Sequence, residues 1–138
     1  MQSPRAGPHA SRSTLEIVRN LRILVVEAVF LELPAFERKR ARYLDDEGFR
    51  RLQLELLRNP LAGEVIQDTG GLRKLRFGDE RRGKGKRGGL RVIYYYWMTR
   101  YEFLLFTLYD KDEAVDLTAR ERDHFRRYLR SELQARTR

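Results

Sequence analysis

The sequence contains no cysteine. A chain without thiols has no disulfide framework, no thiolate nucleophile and no zinc site built on cysteine. This composition suits a reducing compartment, and we expect a cytoplasmic protein. Long hydrophobic runs are also missing, because no apolar stretch approaches the roughly twenty residues that a membrane-spanning helix needs. The sequence therefore predicts a soluble protein.

Histidine is scarce as well, with two residues in a chain of 138. His9 lies in a low-complexity N-terminal stretch, and His124 lies on a predicted helix far along the chain. A catalytic site built on paired histidines is therefore not expected. The N-terminus also lacks an apolar core followed by a small-residue cleavage site, so we predict no secretory signal.

Positive charge, by contrast, is abundant and unevenly distributed. The chain has 29 Lys and Arg against 20 Asp and Glu, a net charge of +9. Residues 72–91, here called the cationic segment, hold nine cations and two acids, a net charge of +7. Charge this dense favours a polyanionic partner, and RNA is the natural candidate. The alternative is that these cations only solvate a long hairpin.

The length fits one domain preceded by a tail. A hydrophobic content of 41% argues against disorder in most of the chain. Residues 1–22 are rich in Ser, Pro and Arg, and we expect them to form a flexible extension. Residues 23–138 then form the domain. Translation starting near Val25 or Val26, at a non-AUG codon, is a further expectation.

The first half of the domain predicts one strand and two helices. Ile23–Leu33 is β-branched and apolar enough for a strand, and Pro34 suits the first turn of the helix that follows. The acidic run 45–47 is typical of a second helix start, and Asn59-Pro60 ends that helix. We predict a loop from Leu61 to Gly71.

The second half predicts three strands and a final helix. Leu72–Phe77 alternates, with apolar side chains on one face and Lys74 and Arg76 on the other. Two β-forming stretches, Leu90–Thr99 and Glu102–Tyr109, predict a hairpin, and a capping box at Thr118 predicts the start of the last helix. The order β-α-α-β-β-β-α predicts an α+β fold, with helices packed against a small, mostly antiparallel sheet.

Several blocks of this order resemble a known family. The matching stretches cover about Val29 to Leu129 and include GEVIQDTGGLRKLRF, GKGKRGGLRVIYYY and FLLFTLYDKDEAVDLT. They resemble the RelE/ParE superfamily of toxins from type II toxin–antitoxin modules, and most closely the HigB-type branch. The resemblance implies a RelE-like fold over nearly all of the predicted domain.

The resemblance also implies a function. Related toxins are ribosome-dependent mRNA endonucleases (mRNA interferases) that enter the decoding site, cleave the message without a metal or another cofactor, and arrest translation. A helix-turn-helix antitoxin is expected to neutralise the toxin and, in complex with it, to bind operator DNA. The ParE side of the superfamily instead inhibits DNA gyrase, so a non-nucleolytic gyrase inhibitor is the alternative. A decayed toxin without turnover is a third possibility.

The residues supply candidates for RNA cleavage. In transesterification the 2′-hydroxyl loses its proton, the negative charge on the phosphorane is stabilised and the 5′-oxygen is neutralised. Lys and Arg can stabilise the phosphorane charge because they donate several hydrogen bonds to its oxygens. The family pattern points to Arg91, which precedes Val-Ile-Tyr. It also points to the loop of residues 81–89, here called the cationic loop, and to the position after the last strand. Tyr95 shares a predicted strand face with Arg91. The catalytic candidates are Arg91, Lys84, Lys86, Tyr95 and Lys111, and the RNA-binding candidates are Arg73, Lys74, Arg76, Arg87 and Tyr109.

Structural roles compete with several of these assignments. Arg73 shares its strand parity with Leu75 and Phe77, which favours a bridging role. The aromatic run 94–97 more often packs than stacks on RNA bases. Glu113 and Asp116 are better explained as cap or ion-pair residues than as catalytic acids. RelE itself has an arginine where this chain has Asp112, so the general acid and base stay open.

Overall fold

The computed structural model describes residues 30–78, 85, 89–114 and 116–137. The predicted N-terminal extension, the alternative translation start and the first part of the predicted strand Ile23–Leu33 lie outside these residues. Lys84, Lys86 and Arg87, three of the candidates on the cationic loop, lie outside them too.

The described residues form three helices and five strands. The helices are α1 (Pro34–Tyr43), α2 (Asp46–Arg58) and α3 (Ala119–Arg136). The strands are β1 (Phe30–Glu32), β2 (Glu64–Val65), β3 (Arg73–Phe77), β4 (Leu90–Trp97) and β5 (Glu102–Asp110). No helix in this part of the chain is long and apolar enough to cross a membrane.

The five strands form one sheet in the order β1-β5-β4-β3-β2. β1 runs parallel to β5, and the other three pairings are antiparallel. The predicted α+β class with a mostly antiparallel sheet is therefore confirmed. The parallel pair places β1 and the following helix along one edge of the sheet, beside β5.

The sequence signals at the helix starts are confirmed. Pro34 occupies the first turn of α1, and the Asp45 side chain accepts a hydrogen bond of 2.7 Å from the Gly48 backbone N–H at the start of α2. At α3, the Thr118 hydroxyl accepts from the Glu121 N–H, and the Glu121 carboxylate accepts from the Thr118 N–H, as in a capping box. Each cap satisfies backbone donors that the first helical turn leaves unpaired.

The two faces of the sheet bury separate apolar clusters. α1 and α2 cover one face, where Phe36, Leu52 and Leu56 pack against apolar residues of β3, β4 and β5. α3 covers part of the other face, where Leu129 packs with Ile93 and others. The polar side of β3, with Arg76 exposed, belongs to the α3 face, as the predicted alternation required.

A β-bulge in the hairpin of β4 and β5 adds a contact between β5 and α3. Thr107 lies opposite Ile93 and Leu105 lies opposite Tyr94, so β5 carries Phe106 as an extra residue. The Phe106 ring meets the α3 ring of Phe125 edge-on, with centroids 5.9 Å apart. The bulge thus directs one more aromatic side chain towards the last helix.

Two predicted boundaries were wrong. The stretch Leu61–Gly71 is not entirely loop, because Glu64 and Val65 pair with β3. Both residues of this strand are exposed, so it has no apolar alternation to reveal it. β4 ends at Trp97 rather than Thr99, and residues 98–101 turn the chain, with Tyr101 at a φ of 54°.

Candidate nucleic-acid interface

Three predicted site residues lie side by side across the sheet. Arg76 on β3 is directly opposite Arg91 on β4, and Arg91 is directly opposite Tyr109 on β5. Residues opposite each other in antiparallel strands share a face, with Cβ atoms about 4.5–5.5 Å apart. We call Lys74, Arg76 and Arg91 the basic row; Lys74 lies two residues before Arg76, on the same face.

The basic row lies at the end of the sheet that carries the cationic loop. Phe77 and Leu90, the residues that leave and re-enter the sheet on either side of this loop, are paired with each other. The Arg76–Arg91 pair is the next one along the ladder. The predicted Lys111 is exposed just beyond β5, where its backbone N–H donates to the Gly89 carbonyl at 3.1 Å.

The three cations of the row differ in environment. Arg91 is 6% exposed and donates a hydrogen bond of 3.2 Å to the Leu90 carbonyl. Lys74 is half-buried, and its ammonium lies 3.4 Å from the Asp116 carboxylate. Arg76 is exposed and has no ion pair with any residue that the structure describes. Arg76 is therefore the cation of the row that is most accessible to an anionic ligand.

Tyr109 lies opposite Arg91, next to the basic row, and is 8% exposed. Its hydroxyl is buried, and it has no hydrogen-bond partner among the described residues. Burial, followed by the negative charge of Asp116, raises the pKa of Tyr109 above the ordinary value of 10.0, although Arg91 opposes the shift. Tyr109 therefore keeps its proton at neutral pH and presents an unsatisfied hydroxyl.

A pocket of about 230 Å³ opens beside Tyr109. We call it the α1–α3 pocket, because side chains of both helices line it together with the β5–α3 connection. Its polar and aromatic lining includes Lys39, Tyr43, Thr107, Glu113, Glu121 and Phe125. Since Tyr109 and Asp116 also line it, the pocket adjoins the basic row directly.

Hydrogen bonds fix the walls of this pocket. The Tyr43 hydroxyl donates to Glu113, whose same oxygen accepts from the Asp110 backbone N–H at 3.1 Å. Burial and the hydrogen bond to Glu113 raise the pKa of Tyr43. Lys39 donates to the Thr107 hydroxyl at 3.4 Å. Side chains of α1 are thereby tied to β5 and to the turn that follows it.

Asp116 links the pocket to the basic row. Its carboxylate accepts a hydrogen bond of 2.8 Å from the Leu117 backbone N–H and pairs with Lys74. The hydrogen bond from Leu117, followed by the charge of Lys74, lowers the pKa of Asp116. Asp116 thus has the ion-pair role that the sequence favoured, whereas Glu113 accepts hydrogen bonds from the Tyr43 hydroxyl and the Asp110 backbone N–H.

Arg73 has the bridging role considered as an alternative to RNA binding. Its guanidinium donates to the Gly63 carbonyl at 2.8 Å, on the opposite face of the sheet from the basic row. Tyr94, its cross-strand neighbour, donates to the Pro60 carbonyl at 2.8 Å and accepts from the Gly63 N–H at 2.9 Å. Both side chains therefore hold the connection between α2 and β2.

Tyr95 shares the face of Arg91 but lies four residues along β4. That separation is about 13 Å at the rise of a strand. Tyr95 packs against the α3-side cluster, and its ring lies 3.3 Å from where a Cβ of Gly71 would stand; Gly71 has a φ of +118°. The structure therefore does not bring Tyr95 next to Arg91.

The sequence analysis missed the contribution of α1 to this site. That analysis predicted a helix after Pro34 and gave no functional role to Lys39, Arg42 or Tyr43, yet all three line the pocket. Tyr43 and Glu113 are 70 residues apart in sequence, so no local pattern links them. The available sequence signal was that Lys39 and Arg42 lie within about one helical turn of Tyr43.

A comparison of the chain with models of known protein families gave no match. The resemblance to RelE/ParE toxins therefore stays a prediction. The fold is consistent with it, because the predicted order of helices and strands is present with one additional short strand.

Proposed function

We propose that this protein is the toxin of a type II toxin–antitoxin module, of the RelE/ParE superfamily and its HigB-type branch. In this proposal it is an endoribonuclease that cleaves mRNA on the ribosome and thereby arrests translation. It works in the cytoplasm, its antitoxin carries a helix-turn-helix domain, and the toxin reaches operator DNA only in complex with that antitoxin.

The observation that carries the proposal is the row Arg76–Arg91–Tyr109 at the base of the cationic loop. Two guanidinium groups and a protonated phenol lie on adjacent strands, and both guanidinium groups belong to the segment that holds +7 of the net charge of +9. Guanidinium groups bind phosphate oxygens with two parallel hydrogen bonds, which makes them suited to hold a scissile phosphate.

The residues divide the chemistry as follows. Arg76 binds the non-bridging oxygens of the phosphate. The charge of Arg91 beside it stabilises the phosphorane, because a buried charge is screened less than a surface charge. Tyr109 keeps its proton and donates to the phosphate or to the leaving 5′-oxygen. We assign the removal of the 2′-hydroxyl proton to Lys84 or Lys86, which stand among many cations in the sequence.

The test is a pulse of expression followed by mapping of mRNA 5′ ends. We expect new ends inside translated reading frames with the unaltered protein, and a strong reduction with Arg76→Gln. The matched control is Arg50→Gln, since Arg50 is exposed on α2, which covers the other face of the sheet. Arg91→Lys needs a parallel measurement of thermal unfolding, because Arg91 is buried.

Two outcomes would contradict the proposal. If Arg76→Gln and a Lys84→Ala/Lys86→Ala variant both cleave as well as the unaltered protein, the site is misplaced. If growth stops while messages stay intact and plasmid DNA loses supercoiling, the protein acts on gyrase in the manner of ParE.

A further inference from the structure

The α1–α3 pocket adjoins the basic row, and the proposed cleavage chemistry uses only the Tyr109 hydroxyl at its wall. The Tyr109 hydroxyl is buried at its wall without a hydrogen-bond partner among the described residues. A buried unsatisfied hydroxyl costs about 1–3 kcal/mol, and native proteins rarely retain one. A ligand with a complementary donor or acceptor would satisfy it.

The size and walls of the pocket restrict that ligand. A volume of about 230 Å³ is smaller than the roughly 300–1,000 Å³ of sites for drug-sized molecules, so the pocket suits a single small ring system. Tyr43, Tyr109 and Phe125 supply aromatic surface, and Thr107 and Glu121 supply polar atoms. Aromatic walls with a few polar groups are the environment in which proteins bind unstacked bases.

Charge separates this pocket from the basic row beside it. Three carboxylates, on Glu113, Asp116 and Glu121, line the pocket against the two cations of Lys39 and Arg42. Carboxylates repel phosphate but accept hydrogen bonds from the N–H groups of base edges. The phosphate therefore remains on the basic row, and a neutral part of the same nucleotide is favoured inside.

We propose that the α1–α3 pocket binds one nucleobase of the RNA, that of a nucleotide adjoining the phosphate held by Arg76 and Arg91. The inference rests on the proposed function and adds a base-binding subsite to it. Tyr109 belongs to both parts, because it lies opposite Arg91 and lines the pocket. The pocket then contributes to the choice of cleavage position through the base that it accepts.

The test measures the binding of short single-stranded RNAs in which an abasic nucleotide replaces one position at a time. Loss of one base–aromatic stack weakens binding by roughly tenfold. We expect one position, or two adjacent positions, to show this loss with the unaltered protein. Free nucleosides at the same concentrations distinguish a pocket for isolated bases from one that takes a base within the chain.

Two protein variants connect the effect to the pocket. Ala114→Leu fills it, and Ala62→Leu adds the same atoms at an exposed site elsewhere. Tyr109→Phe removes only the hydroxyl, with Tyr101→Phe, at 71% exposure, as its control. We expect Ala114→Leu to abolish the difference between intact and abasic RNA, Tyr109→Phe to reduce it several-fold, and both controls to preserve it.

The possible failures are distinguishable. Equal binding of intact and abasic RNA at every position would overturn the base pocket and leave the proposed function standing. No binding of either RNA, even at low salt, would overturn the base pocket and the phosphate contact of the basic row, and the mapping of mRNA 5′ ends then decides the proposed function separately. An abasic effect that persists in Ala114→Leu and in Tyr109→Phe would place the base elsewhere, and Tyr109→Phe decides if Ala114→Leu does not fold.

Discussion

Tyr94 and Tyr109 are both buried tyrosines of the central hairpin, but their hydroxyls have opposite surroundings. The Tyr94 hydroxyl donates to Pro60 and accepts from Gly63. The Tyr109 hydroxyl has no partner in the described part of the chain. The first hydroxyl therefore contributes to stability, whereas burial of the second without a partner lowers stability.

Removing each hydroxyl should separate the two roles. We expect Tyr94→Phe to lower the free energy of unfolding by about 1–3 kcal/mol, because it leaves a buried donor and acceptor unsatisfied. We expect Tyr109→Phe to be neutral or stabilising. Urea denaturation of both variants measures this, and an equal loss of stability in the two would show that the Tyr109 hydroxyl has a partner in solution.

At the scale of secondary structure, α3 depends on its first turn. Of its residues, Leu129 is fully buried against the sheet, and Phe125, Tyr128 and Leu133 pack there only partly buried, so its apolar anchorage is limited. Its N-terminus is instead fixed by the reciprocal hydrogen bonds of Thr118 and Glu121. Because Glu121 lines the pocket from this first turn and Phe125 from the turn that follows, the cap also positions part of the candidate site.

The cap can be tested with a conservative pair of changes. Thr118→Ala should lower the free energy of unfolding by about 1 kcal/mol and increase amide exchange in the first turn of α3. Thr118→Ser keeps the hydroxyl and should behave almost like the unaltered protein. If the alanine variant shows normal amide protection, the packing of α3, rather than its cap, holds that turn.

The β5–α3 connection is held to β3 by Asp116, and this contact depends on pH. The pKa of Asp116 is lowered in the folded state, chiefly by the Leu117 backbone N–H and then by Lys74. A carboxyl with a lowered folded-state pKa stabilises the protein above its unfolded-state pKa, near 3.9, and loses that contribution as the pH falls through the folded value.

The matching experiment compares Asp116→Asn with the unaltered protein across pH. We expect the variant to be less stable at neutral pH and the difference to shrink once the pH falls below about 4. Asp46→Asn, at an exposed position in the first turn of α2, is the control for charge alone. A difference that stays constant between pH 7 and 3 would mean that the ionised carboxylate is not what matters.

For the whole molecule, charge is concentrated where the chemistry is proposed. The cationic segment contains the basic row. The α1–α3 pocket beside that row is lined by more carboxylates than cations. A phosphate backbone and a base thus have separate, adjacent environments. With RNA as the proposed partner, electrostatic attraction of this kind would guide the approach of the RNA and make its binding strongly dependent on salt.

The dependence on salt gives a quantitative prediction. Each phosphate contact with single-stranded nucleic acid contributes about 0.7 to the slope of log affinity against log salt concentration. Arg76→Gln should therefore reduce that slope by about 0.7, whereas Arg50→Gln should leave it nearly unchanged. Fluorescence anisotropy with a short RNA at several salt concentrations measures both, and equal slopes for the two variants would remove Arg76 from the RNA path.

The helices and most strands were predictable because their signals are local. Pro34, Asp45 and Thr118 start helices through bonds within a few residues, and the alternation of Leu75, Arg76 and Phe77 defines two faces of one strand. β2 was missed because two exposed residues carry no such period. The burial of Arg91 was missed because that burial depends on the neighbouring strands β3 and β5 and not on the sequence of β4.

The sequence by itself determined the α+β class, the order of most elements and the position of the cationic segment, since composition, capping and periodicity act over short distances. Tertiary structure alone decided the parallel pairing of β1 with β5, the alignment of Arg76, Arg91 and Tyr109, and the pocket between α1 and α3. These features join residues far apart in the chain, and only the packing of the complete sheet with its helices brings them together.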